Sequence, residues 1–466
     1  MRKNCLFYPI PSILALFLTF TLNAQVNAWL TTSDRSALFA QQEGIITFTA
    51  PPAGGPSIEI DDSKTYQSID GFGFALTGGS AMHMIRMSDE ARAALIHELF
   101  ATDGQNIGVS YLRLSIGASD LNERVFSYDD MPEGQTDPQM EHFDLGPDRQ
   151  DVIPVMKEIL KVNPRIKILG SPWSPPTWMK TNNDTRGGQL KPEYYDAYAK
   201  YFVKYVQEMA KEGITIDAIT IQNEPLHPGN NPSLLMTAPD QAIFIKNNLG
   251  PAFKKAGIKT KIIVYDHNAN RPDYPIRIYN DPEARKYVDG SAFHLYAGDI
   301  EALTDVHEAY PDKNIYFTEQ MVVERRNSDK LNIVSPVKRL IVGATRNWAK
   351  NVLEWNLAAD PEYKPYTDRG GCSMCQGAVT IDKDAVTRNL AYYSIAHASK
   401  FVRPGSVRIG SSLPDSLPNV AFKTPQEKIV LIVANDSQEE KNFNIVYKGK
   451  SAAVTLQGRA VATYIW

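Results

Sequence analysis

The pattern of apolar positions divides the chain into two textures. Between residues 66 and 402, short and nearly continuous apolar runs alternate with longer stretches of helical periodicity. The short runs are Gly71–Thr77, Val109–Gly117, Ile166–Trp173, Asp217–Pro225, Lys261–Asn268, Gly290–Gly298, Asn314–Gln320 and Val352–Ala358. A strand covered on both faces has no solvent side to keep polar, so these runs predict a parallel sheet under helices. The intervening stretches carry helix punctuation. Ser88 stands as an N-cap for Ser88–Ala101, and Gly213 ends the stretch Glu193–Glu212. Eight such repeats predict a (β/α)8 barrel over residues 66–402.

After Arg403-Pro404-Gly405 the period shortens. Ser406–Ile409, Asn419–Lys423, Lys428–Ala434, Asn442–Tyr447, Ala452–Leu456 and Ala460–Trp466 are brief, often alternating runs separated by turn residues. They predict an antiparallel β-sandwich over residues 403–466. Residues 29–65 hold similar material in Gly44–Thr49 and Ser57–Ile60. These strands are expected to join the C-terminal ones, which makes the second domain discontinuous.

The first residues differ from both textures. Arg2 and Lys3 precede the apolar run Ile13–Leu22, and small residues follow it. That order predicts a signal peptide over residues 1–28, the apolar run being too short to span a bilayer. Cleavage fits after Ala24 or Ala28, and Val26-Asn27-Ala28 matches the small-x-small rule better. Cys5 lies before the apolar run and offers no site for lipid attachment after cleavage. A secreted or periplasmic protein with no membrane span after cleavage is expected, most simply a monomer.

Charge narrows the partners. The chain has 49 basic and 53 acidic residues and a net charge of −4, so nothing favours a nucleic-acid partner. Apolar residues make up 43%, which excludes a disordered chain. Past the leader only Cys372 and Cys375 remain. An exported chain with two thiols three positions apart most simply closes a local disulfide, with free thiols or half a metal site as the alternatives.

In a (β/α)8 barrel the reactive groups stand at the C-terminal ends of the strands. Here those ends supply Arg113 and then Asp120, Trp173 with Trp178, Asn223-Glu224, His294 and Tyr296, Glu319, and Trp355. Two carboxylates among aromatics and amide, imidazole and guanidinium groups, with no grouping of metal ligands, suit the cleavage of a sugar. Glu224 and Glu319 fall on the fourth and seventh strands, whose ends face one another across a barrel mouth. A separation of about 5 Å would give a retaining mechanism. Glu224 would serve as acid/base, needing a raised pKa, and Glu319 as ionised nucleophile. Glycines at 71, 73, 78 and 79 fail the spacing of a phosphate loop.

The ordered motifs QSIDGFGFALTGGSA (67–81), RLSIGASD (113–120), SPWSPPTWMK (171–180), ITIQNEP (219–225), AFHLY (292–296), IYFTEQ (314–320) and LEWNLAADP (353–361) resemble glycoside hydrolase family 30. That family includes lysosomal glucosylceramidase and microbial β-glucanases. The resemblance implies acid/base and nucleophile roles for Glu224 and Glu319. It implies glycone binding by Asp120, Trp173, Asn223 and Trp355, with Arg113, His294 and Tyr296 lining the same subsite. No cofactor and no metal are implied. The loop Arg369–Gly377, with its CxxC, is similar to that of the family's β-1,6-glucanases. The expected activity is therefore retaining hydrolysis of a β-glucan, β-1,6-linked in the first instance. A glucosylceramidase-type exo-β-glucosidase is the enzymatic alternative, and a non-catalytic carbohydrate-binding protein is the alternative of another class.

Overall fold

The computed structural model describes residues 25–44, 46–49, 54–324 and 328–466. The expected leader up to Ala24 lies outside the described residues.

The eight predicted runs form eight parallel strands that close into a barrel in chain order. They are Gly71–Leu76, Tyr111–Ser115, Lys167–Ser171, Ala218–Thr220, Lys261–Asn268, Val288–His294, Asn314–Glu319 and Ala349–Asn356. The fourth strand is shorter than its apolar run, so Asn223-Glu224-Pro225 lie on the loop beyond it. Between strands, the expected helices appear with their expected caps. Asp89–Phe100 begins where the Ser88 side chain accepts from the Ala91 N–H, and Tyr195–Lys211 stops just before Gly213, whose φ is +82°.

Inside the barrel, side chains stack in layers. The lower layer is apolar: Tyr111, Leu169, Ala218, Ile263, Ala292, Tyr316 and Leu353. Two residues further along each strand, the pleat returns the next side chain to the interior. That step yields Arg113, Ser171, Thr220, His294, Thr318 and Trp355, a polar and aromatic layer at the mouth. The fifth strand breaks the rule. Alternation from Ile263 would place Tyr265 inside, but Tyr265 and Asp266 take φ values of +74° and +66° and the pairing with the sixth strand slips there. This bulge sends Tyr265 outward against Tyr274 and Phe293 and leaves Asp266, fully buried, at the barrel axis.

Ala358–Ala359, Val379–Asp382 and Ala385–Arg388 make a small three-stranded sheet, and the other strands form one ten-stranded, mostly antiparallel sheet that curls around its own core. As expected, it is discontinuous in sequence. Gln25–Thr31 pairs with Val461–Ile465, and Ser57–Ser68 lies between Val407–Ser411 and Lys441–Tyr447. The first of these strands runs through the expected boundary at residue 28, and Val26 and Ala28 are both buried in the sheet's core. A shared histidine fastens the sheet to the barrel. His397, on the helix Leu390–Ser399, bonds Thr31 Oγ1 at 2.8 Å and Thr463 Oγ1 at 2.9 Å.

Candidate active site

Arg113 organises the barrel mouth. The second strand carries it inward with no exposure of its side chain, where a guanidinium survives only if its N–H groups are satisfied by acceptors. Nη1 donates to Glu319 Oε2 at 2.5 Å, and Nη2 donates to Asp266 Oδ2 and Asn223 Oδ1, both at 2.8 Å. Nε donates to Ser171 Oγ at 3.2 Å. Its flat face lies 4.7 Å from the Trp173 ring, and Trp173 stacks on Trp355 with centroids 5.3 Å apart. One cation thus fixes two carboxylates, an amide and a pair of indoles. Because Arg113 occupies the Asn223 oxygen, the NH2 of that amide is the group available to a sugar hydroxyl.

Asp266 is the second hub, and the apolar pattern of its strand does not single it out. Its Oδ2 accepts from Arg113, Thr220 and Ser171, and its Oδ1 accepts from Thr318 Oγ1 at 2.6 Å. His294 Nε2 lies 3.1 Å from Oδ1, which turns Nδ1 of the same ring towards the glutamates. His294 Nδ1 stands 3.2 Å from Glu224 Oε1 and 3.8 Å from Glu319 Oε1. Both predicted catalytic carboxylates therefore converge on one imidazole nitrogen. Glu224 itself has φ of +44°, held by a bond from its N–H to the Asp266 carbonyl. Strained backbone at such a position is the cost of aiming one side chain.

The charges of the free site are shared. Burial works against a cationic His294, but the Glu319 charge and hydrogen bonds to Asp266 and Glu224 push its pKa up to about 9. Burial tends to raise Glu224 too, yet the imidazoles of His267 and His294 beside it hold it below the usual range, contrary to the raised value expected. Burial raises the Glu319 carboxyl above its ordinary value by more than His294 and Arg113 pull it down, the reverse of the order expected for an ionised nucleophile. The site proton of the free protein thus rests on the imidazole between the carboxylates. Burial and the charges of Glu319 and Glu224 push Asp120 up to about 7, a carboxyl poised to donate or accept at neutral pH.

Tyr296 is 42% exposed, yet its hydroxyl turns inward and donates to Glu319 Oε1 at 3.0 Å. The Met321 N–H donates to that hydroxyl at 2.9 Å. Met321 in turn touches the loop beyond the eighth strand, its Sδ 3.3 Å from Cys375 Sγ. Cys372 and Cys375 are joined by a disulfide, the simplest of the three expected states. Cys375 packs in one apolar cluster with Trp173, Trp355, Ala75 and Leu121.

Trp178 is the predicted residue that the structure does not bring to this group. After Pro175-Pro176 the chain makes a short 3-10 turn at Thr177–Met179. The indole then donates to the Asp129 carbonyl at 3.0 Å and packs edge-on against Tyr194. It belongs to the core around the barrel. His267, which the sequence pattern misses together with Asp266, does belong to the site. Its Nδ1 lies 3.6 Å from Glu224 Oε1. The signal for both is Asp-His at the end of the fifth strand.

A barrel with two carboxylates across its mouth, flanked by indoles and hydroxyl-binding groups, defines a glycoside hydrolase. Residues 69–402 match the glycosyl hydrolase family 30 TIM-barrel domain and residues 405–464 the beta sandwich domain of the same family. The chain belongs to glycosyl hydrolase family 30. It is 35% identical over 415 residues to an endo-1,6-beta-D-glucanase of Neurospora crassa, covering 85% of each chain. It is 29% identical over 438 residues to the lysosomal acid glucosylceramidase of Mus musculus, covering 88% of this chain and 84% of that one. Among solved structures, the endo-beta1,6-glucanase BT3312 superposes with a TM-score of 0.87 at 34% identity, covering 95% of this chain and 99% of that one.

Proposed function

We propose that this protein is an exported endo-acting glucanase that cleaves β-1,6-glucan with retention of configuration. The observation that carries the mechanism is the convergence of Glu224 and Glu319 on His294 Nδ1. Glu319, held by Arg113 and Tyr296, attacks the anomeric carbon as the glycosidic C–O bond breaks. The proton carried between His294 and Glu224 goes to the leaving oxygen. Forming the ester removes the Glu319 charge that favoured a cationic His294. Glu224 is then a free carboxylate that takes a proton from water, whose oxygen displaces Glu319. Asp120, Asn223, Trp173 and Trp355 bind the glycone.

The linkage is supported by the 1,6-glucanase relatives and by the disulfide loop at the mouth. Pustulan and a glucosylceramide, digested side by side and followed by chromatography and by the anomeric proton resonances of early products, test the reading. Pustulan should be cut to short β-configured oligosaccharides. Release of glucose from the glucosylceramide alone would favour the lipid-cleaving alternative, and α-configured first products would end the retaining mechanism. Export is proposed with cleavage after Ala24, because cleavage after Ala28 would remove two buried residues from the first sheet strand. The intact mass of the protein from the medium or periplasm should give Gln25 as its first residue.

A further inference from the structure

We propose that Glu224, His267 and His294 form a reversible site for a borderline divalent transition-metal ion, Zn2+ above all, which blocks the acid/base group. The proposal rests on the geometry of these residues and not on the substrate assigned above. One ligand atom from each of the three residues lies within 4.8 Å of the other two, and all three residues are buried.

The spacing fits the ion. Tetrahedral zinc with bonds of about 2.0–2.2 Å sets neighbouring ligand atoms about 3.3 Å apart. Here Glu224 Oε1 is 3.2 Å from His294 Nδ1 and 3.6 Å from His267 Nδ1. Small rotations of the His267 ring close the difference. His267 is 8% exposed, and its Nδ1 makes no hydrogen bond among the described residues. A buried ring nitrogen that stops short of a hydrogen bond to Glu224 is poorly satisfied, and a cation between the two would satisfy it.

The surroundings fit as well. His294 binds Asp266 through Nε2, and Asp266 is held by Thr318, Thr220, Ser171 and Arg113. A carboxylate behind an imidazole fixes the tautomer and raises ligand basicity, as in carboxylate–histidine–zinc triads. Glu319 Oε1, 3.8 Å from His294 Nδ1, borders the side left for a fourth ligand. The local field favours a cation, since the carboxylates of Asp266, Glu224 and Glu319 outnumber the charges of Arg113 and the His294 imidazolium, whose proton the ion displaces. Two imidazoles and one carboxylate select zinc, copper or nickel over magnesium and calcium, which prefer all-oxygen shells. An ion here takes the Glu224 lone pair that must carry the proton, so the bound form is inactive.

The mature protein, free of chelator, is titrated with ZnCl2 by calorimetry and with CoCl2 by visible absorption. One ion per chain should bind, with the intense d–d bands of tetrahedral cobalt, while MgCl2 gives no comparable heat. His267→Phe should weaken zinc binding at least about tenfold, the loss typical of an outer-shell partner and a lower bound for a ligand. His267→Gln serves the same purpose if the melting curve shows that the phenylalanine variant has not folded. Absence of binding at millimolar zinc, or an affinity unchanged by a folded His267 variant, would overturn the site. These titrations use no sugar, so their outcome does not depend on which glucan the enzyme cuts. With any β-glucoside that is turned over, zinc should inhibit and a chelator should restore the rate.

Discussion

Asp266 and His294 meet at 3.1 Å in a place that solvent does not reach, and their bond decides which imidazole nitrogen faces the two glutamates. Asp266→Asn keeps the shape and removes the charge. His294 would then lose part of what holds its proton, against the standing penalty of burial. The folded pKa of about 9 should fall towards the ordinary value. The alkaline limb of kcat/KM should move down by at least about one pH unit, with about a hundredfold loss at neutral pH from misplaced groups. An alkaline limb that stays in place would separate His294 from the proton that catalysis uses.

The two glutamates should fail differently. Glu319→Gln has no group to form the ester, so turnover of every substrate should fall by at least about four orders of magnitude. Glu224→Ala should retain the first step on activated aryl glucosides, whose leaving groups need little protonation. Azide should rescue its second step and yield a β-glucosyl azide by NMR. An α-azide would exchange the proposed roles.

The disulfide loop reaches the site through Met321. Because the closed ring is only a few residues long, its entropic contribution to the whole fold is modest. Its sulfur contact to Met321 and the Met321 bond to Tyr296 lead directly to Glu319. Cys372→Ser/Cys375→Ser should raise KM on long glucan several-fold with little change in Tm. Thiol titration of the unfolded, unreduced mature protein should find no free thiol and, after reduction, both. A collapse of Tm would make the loop a structural support instead.

His397 sets an acid limit. Buried between the barrel and the sheet, it is held neutral, its pKa pushed down to about 3 by burial. An unfolded chain binds that proton near the ordinary value of about 6.5, so between these two values the unfolded state carries more protons. Stability from this group is fully present above about 6.5 and falls as the pH drops towards 3, by roughly 5 kcal/mol in all. His397→Gln should lower Tm at neutral pH but flatten its decline on acidification. A decline as steep as that of the parent protein would assign the acid limit to other groups.

Why the fifth strand hides its contribution is a matter of backbone. On the second and eighth strands the pleat carries Arg113 and Trp355 straight to the mouth, and Glu319 closes the apolar run of the seventh, so these runs are enough to predict both barrel and site. Lys261–Asn268 has the same kind of apolar run, and its alternation points Tyr265 inward. Only the paired positive φ values at Tyr265 and Asp266 reverse that order, and no residue there is a glycine that would announce it. Trp178 departs in the opposite sense, since its motif says nothing of the turn that carries it out to Asp129. The order of acidities needs the imidazoles in place around Glu224, a relation made across three strands.

The pairing of Gln25–Thr31 with Val461–Ile465 has a consequence for biogenesis. Gln25–Thr31 leaves the ribosome long before the strand it pairs with. At ordinary synthesis rates of about 5–20 residues per second, that is a delay of roughly 20 to 90 seconds. Throughout it the sheet lacks the strand between Gln25–Thr31 and Ile429–Ala434. Any product that stops short of Val461 leaves two apolar edges unjoined, a lesion that proteases and chaperones can read.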